Sequence, residues 1–154
     1  MTTPEHRPAR QVAPRLALSW PIVFQVVRWL AVVPAAILAW HVAILVGFAL
    51  LAVLDALCPA EQMVSGLCVA PWFRGAEAAV FIFSAAFAGA VLVAICTLVA
   101  PGHRGIVAWT TLALGTLLAT YLALETMVVW EFVAAVTAGT VSAWLITRAK
   151  WGSR

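Results

Sequence analysis

Charge is what this sequence has least of. Nine basic and six acidic side chains make up 10% of 154 residues, against 65% hydrophobic residues and a mean hydropathy of +1.06. A water-soluble domain carries about 25% charged residues, so a soluble fold is excluded. Catalytic spacings are missing too. There is no G-x-x-x-x-G-K-[ST], no G-x-G-x-x-G after a strand, no H-E-x-x-H and no G-x-S-x-G, so no nucleotide, zinc or serine-hydrolase chemistry has sequence support. The three cysteines form no CxxC pair, and Met63 and Met127 are too few and scattered for a copper site. No basic stripe interleaves with aromatics, so the net charge of +3 does not point to a nucleic-acid partner. No cofactor and no resident metal are expected, and an enzyme is the less favoured class.

What the sequence has is long apolar runs. About 20 apolar residues span a bilayer as a helix, and four such stretches fit, at about 29–54, 76–99, 106–124 and 129–147. The fold expected is an all-α integral membrane protein, a four-transmembrane-helix bundle with a short N-terminal interfacial helix. Residues 1–14, with Pro4, Pro8 and Pro14, read as a disordered cytoplasmic arm. Residues 15–28 are apolar but interrupted by Pro21, Gln25 and Arg28, and read as an interfacial amphipathic segment anchored by Trp20 and Trp29. Arg28 is expected to snorkel to the headgroups. Residues 29–147 form the membrane domain, with Pro34 as a kink in its first span, and 148–154 a cytoplasmic tail. The N-terminus reads as retained rather than as a cleavable signal peptide, since a polar arm precedes an apolar stretch far longer than an h-region.

Orientation follows from where the bases fall. Arg7, Arg10, Arg15 and Arg28 precede the first span, Arg104 lies between the second and third, and Arg148, Lys150 and Arg154 follow the last. Only Arg74 lies on the other face. Lys and Arg near span ends stay cytoplasmic, so both termini are expected inside a bacterial-type inner membrane. Splitting residues 16–54 into two spans would put the arginines of the arm outside. A three-span reading with 106–147 partly re-entrant would leave backbone unpaired in lipid. Trp72, Trp109, Trp130 and Trp144 lie near the predicted span boundaries, where an aromatic belt belongs.

Small residues recur at four-residue spacing: Ala85 and Gly89 in the second span, with Ser84 and Ala88 beside them, and Ala135, Gly139 and Ala143 in the fourth. Such stripes let helix backbones approach closely, either within one chain or between copies.

Three constellations could carry chemistry. In the outer loop, Cys58 and Cys68 fall on the oxidising side, where two thiols usually pair. A structural disulfide is expected there, and a redox-active pair is the alternative. Asp55, Glu77, Glu125 and Glu131 place one carboxylate at the outer end of each span, with Glu61 between them. Solvated headgroup-level acids are the simple reading, and a cation site at the outer mouth the sharper one. His41 lies in the middle of the first span, where ionisable groups are rare and mark functional sites by default. Pro34, His41, Phe48 and Asp55 are seven apart and share one helix face. The ordinary role for His41 is a hydrogen bond to a hydroxyl of the third or fourth span, with Thr116, Thr120, Thr137 and Thr140 available.

Three function classes remain. First comes a non-enzymatic accessory or scaffold subunit of a membrane complex, partnered by lipids and by another membrane protein or a copy of itself. Second is a small cation- or proton-linked transporter or channel using His41 and the carboxylate ring. Third is a membrane thiol oxidoreductase using Cys58 and Cys68.

Overall fold

The computed structural model describes residues 20–149. Four helices fill almost all of it: α1 Trp20–Ala56, α2 Phe73–Val99, α3 Arg104–Thr126 and α4 Val129–Ala149. Each is long and apolar enough to cross a membrane. The expected disordered arm, the first residues of the interfacial segment and the last five residues of the tail lie outside the described residues.

Short connections turn each helix back along its predecessor, so the bundle has two distinct ends. At the hairpin end, residues 57–72 join α1 to α2, and Met127 with Val128 joins α3 to α4. At the opposite end, named here for Arg28, residues 100–103 join α2 to α3. The described charges divide between the ends as sharply as the spacing suggests. Arg28, Arg104 and Arg148 lie at one end; Asp55, Glu61, Glu77, Glu125 and Glu131 lie at the other, with Arg74. Trp109 and Trp144 lie toward the Arg28 end and Trp72 and Trp130 toward the hairpin end, all four exposed.

The second, third and fourth helices match the expected spans to within three residues at either end. The first does not. No break separates an interfacial segment from the first span: α1 runs through Arg28 and Pro34 for 37 residues, about 55 Å at 1.5 Å per residue. Pro21 falls in the first turn, where a missing N–H costs nothing. Gln25 and Arg28 are both good helix formers. Nor does Arg28 snorkel away from the protein. Its guanidinium donates to the carbonyl of Val99 (Nε, 3.2 Å) and to those of Leu98 and Ala100 (Nη2, 3.4 and 3.5 Å). These are among the last carbonyls of α2, which have no partner inside the helix. A cation there also meets the negative end of the helix dipole.

The second helix is the hub, packing against each of the other three, most extensively against α4. The small residues explain why. A Cβ placed on Gly89 would collide with the backbone carbonyl of Ala135. One placed on Gly139 would come 2.9 Å from Leu112 Cδ1 and 3.5 Å from the carbonyl oxygen of Gly89. The stripes on α2 and α4 therefore face each other within one chain. The core is concentrated toward the Arg28 end. One cluster joins Val93, Ala108 and Ala143, and a second joins Cys96, Ala100 and Val107. Thr97 is buried beside them and returns its hydroxyl to the carbonyls of Val93 and Ala94, at 2.9 and 2.8 Å.

Gly89→Ala should destabilise the bundle by about 1–3 kcal/mol, the cost of overpacking a site whose neighbour is backbone. Gly75, also in α2, has nothing within 4 Å of its Cβ position, so Gly75→Ala should be neutral or slightly stabilising. Thermal unfolding in detergent, followed by circular dichroism, compares the two; equal melting curves would show that the α2–α4 approach is not what sets stability.

Candidate functional site

His41 lies about 20 Å along α1 from Arg28 and about as far from Asp55, so it sits midway between the ends. Its neighbours in sequence decide which way it faces. Ala39 and Ala43 are buried at 2% and 4% exposure, and Gly47 abuts Ser84, whose Oγ stands 3.1 Å from where a glycine Cβ would be. Residues 39, 43 and 47 thus form the α1 face that meets α2. His41, two residues from Ala39, is rotated by about 200° from it and is exposed on the opposite side. Pro34, Phe48 and Asp55 share that outward face, as their spacing predicts, and all are exposed.

No interhelical bond to a threonine forms. His41 Nδ1 lies 2.8 Å from the carbonyl of Ile37, one turn back on the same helix. A carbonyl only accepts, so Nδ1 carries the proton in this bond. Thr120, Thr137 and Thr140 also bond within their own helices, to the carbonyls of Thr116, Val133 and Val136. His41 is therefore outside the bundle and cannot line a path between the four helices of one chain.

The carboxylates share an end without forming a site. Asp55, Glu61 and Glu125 are exposed, while Glu77 and Glu131 are half-buried. Among the described residues, no three His, Cys, Asp or Glu side chains come close enough to hold a metal ion together.

Cys58 and Cys68 are joined in a disulfide with Cα atoms 6.0 Å apart. The bridge closes a small structured loop. A 3-10 turn over Ala60–Gln62 leads into a hairpin pairing Met63 with Cys68 and Val64 with Leu67. Ser65 and Gly66 turn it with φ of 51° and 80°, the left-handed pair that two-residue hairpins require. The Ser-Gly pair between two short apolar runs was the available signal for this hairpin. Cys96 is buried in α2 on the Arg28 side of the bundle and takes no part.

A feature with no single motif behind it is a cleft of about 300 Å³ bounded mainly by α2, α3 and α4. Its floor includes Ala85, Gly89, Ala135 and Gly139, the small residues of the α2–α4 contact. Trp40 of α1 and Leu118 of α3 line it and are both exposed, at 43% and 55%. Glu131 lines it too, in the first turn of α4 at the hairpin end. The cleft opens between α1 and α3, neither of which packs extensively on the other. The sequence signal was indirect. Small residues were legible as contact residues, but not as the floor of a space.

Replacing Cys58 and Cys68 with serine should lower stability by about 3 kcal/mol, the loop entropy released by opening a ring of this size, without loss of helix content. Melting curves of the wild type, with and without reductant, test this against the double variant. Superimposed curves under all three conditions would remove a structural role for the bond.

Compared with protein-family models, with curated proteins and with solved structures, the chain matches none.

Proposed function

We propose that this protein is a non-enzymatic, multi-pass accessory or scaffold subunit that holds a membrane partner along α1. The observation that carries the reading is the state of that helix. It is 37 residues long, has one extensive neighbour, and turns its mid-helix histidine away from that neighbour. Ionisable side chains at that depth almost always face protein or a water-filled cavity. A partner helix would supply that environment and a hydrogen-bond partner for Nε2. The Arg28 end of α1 adds weight. Ile22, Phe24, Val26 and Val27 lie beyond the level where Arg28 meets the end of α2, and all are exposed. That overhang of apolar surface has no counterpart in the other three helices to lie against.

The charge division supports a bacterial-type inner membrane with both termini cytoplasmic, because basic residues are retained on that side. The disulfide is consistent with a hairpin end in the oxidising compartment.

Affinity purification in mild detergent, followed by native mass determination, tests the reading. A stoichiometric second polypeptide is expected. His41→Ala should reduce its recovery several-fold, because an interhelical hydrogen bond in a membrane contributes about 1 kcal/mol, while the variant itself folds normally. A homogeneous monomer or homo-oligomer with no second polypeptide, unaffected by the substitution, would overturn the subunit reading.

A further inference from the structure

We propose that the cleft between α2, α3 and α4 is a lipid site. It takes one acyl chain of an amine-headed phospholipid from the leaflet on the hairpin side, with Glu131 receiving the ammonium group.

Shape comes first. The cleft follows α4 from Glu131 to Gly139 and α3 from Ala123 to Thr111, which is about 12 and 18 Å of helix at 1.5 Å per residue. One leaflet of a bilayer has about 15 Å of hydrocarbon. From headgroup level at the hairpin end the cleft passes the middle of the bundle and reaches Val93 on α2, a length that suits an extended acyl chain entering from that leaflet. A volume of about 300 Å³ drawn out over that length suits a hydrocarbon chain, whereas a helix is roughly 10 Å across.

Chemistry narrows the occupant further. Apart from Glu131, only Thr111, Thr116 and the indole N–H of Trp40 bring polar groups to the lining. Apolar walls of this kind do not hold water, and an unfilled space would forfeit dispersion contacts along its whole length. Hydrocarbon from the bilayer can enter where Trp40 and Leu118 stand exposed. The lone acid is half-buried in the first turn of α4, at the headgroup end of the cleft. A carboxylate there complements an ammonium that can donate hydrogen bonds to it, and opposes the phosphate of a lipid that carries no amine.

The test uses the full-length protein in nanodiscs of equimolar phosphatidylethanolamine and phosphatidylglycerol with identical acyl chains. Lipid retained after release is read by native mass spectrometry. Retained phosphatidylethanolamine should exceed phosphatidylglycerol by about two- to five-fold, as suits a partly exposed ion pair. Glu131→Gln should return the ratio to that of the bilayer while lipid is still retained. Ala119→Phe, which places a ring in the cleft, should release the lipid. Because Glu131→Gln is isosteric and lies in the first turn, its result stands even if Ala119→Phe unfolds. Retention in the bulk ratio by the wild type, a preference unchanged by Glu131→Gln, or lipid retained by a folded Ala119→Phe protein would each overturn the proposal.

Discussion

The approach of α2 to α4 at Gly89 governs this fold. Helices long and apolar enough to cross a membrane would find no hydrophobic reason to associate in hydrocarbon, so their contact would come from close packing of backbone and small side chains. Gly89 lies against the Ala135 carbonyl, and Gly139 lies close to Gly89 in turn. At Gly89 a larger residue would displace a helix, whereas at Gly139 it would first displace the end of the Leu112 side chain. With that contact made, α2 has a neighbour on one side and remains free to accept α1 and α3 on others. Removing the contact would dismantle the hub and also the cleft, whose floor it forms.

Arg28 shows how the same hub is secured at one end. An arginine inside an apolar run is costly unless it reaches water or a partner. Here it reaches three carbonyls at the end of α2. The interaction removes two liabilities together, an unpaired cation on α1 and unpaired acceptors on α2. It also fixes the axial register of α1 against α2, since a slip of one turn would carry the guanidinium about 5 Å from its acceptors. The two core clusters lie at this same end, so electrostatics and packing reinforce each other there.

Much of the architecture was legible because apolar length is a coarse, robust signal. The second, third and fourth helices needed only that, and the stripes on α2 and α4 needed only their spacing. The uninterrupted α1 was harder to read, because Pro21, Gln25 and Arg28 resemble a boundary until their partners are known. Proline in a first turn and arginine against a helix end are both compatible with a continuous helix. The outward direction of His41 was in the sequence, although the clue lay beside it. Ala39, Ala43 and Gly47 repeat the four-residue spacing found on α2 and α4, and a small-residue face toward α2 puts His41 on the far side. The turn between α3 and α4 had no glycine to announce it. Met127 takes the left-handed conformation at φ 58°, a cost of about 1–2 kcal/mol for a residue with a Cβ that tertiary contacts must offset. The cleft was the least legible feature, since a void belongs to several helices at once and leaves no periodicity in any one of them.

The two ends of the bundle are held by different physics, and the difference explains where its candidate sites lie. At the Arg28 end, side chains interlock and a cation is shared between helices. At the hairpin end, five of the described residues are acidic and only Arg74 is basic. Like charges at helix ends favour separation, and packing there is sparse enough to leave the cleft. A covalent tie compensates: Cys58–Cys68 folds the α1–α2 connection into a compact hairpin, and Leu54 and Ala70 are buried beside it. Such a tie restrains α1 and α2 without filling the space between α2, α3 and α4. Regions with few buried contacts are those that can open or accept a ligand at low cost. A bundle closed by packing at one end and by a loop disulfide at the other therefore keeps its shape while leaving the cleft between α2, α3 and α4 open.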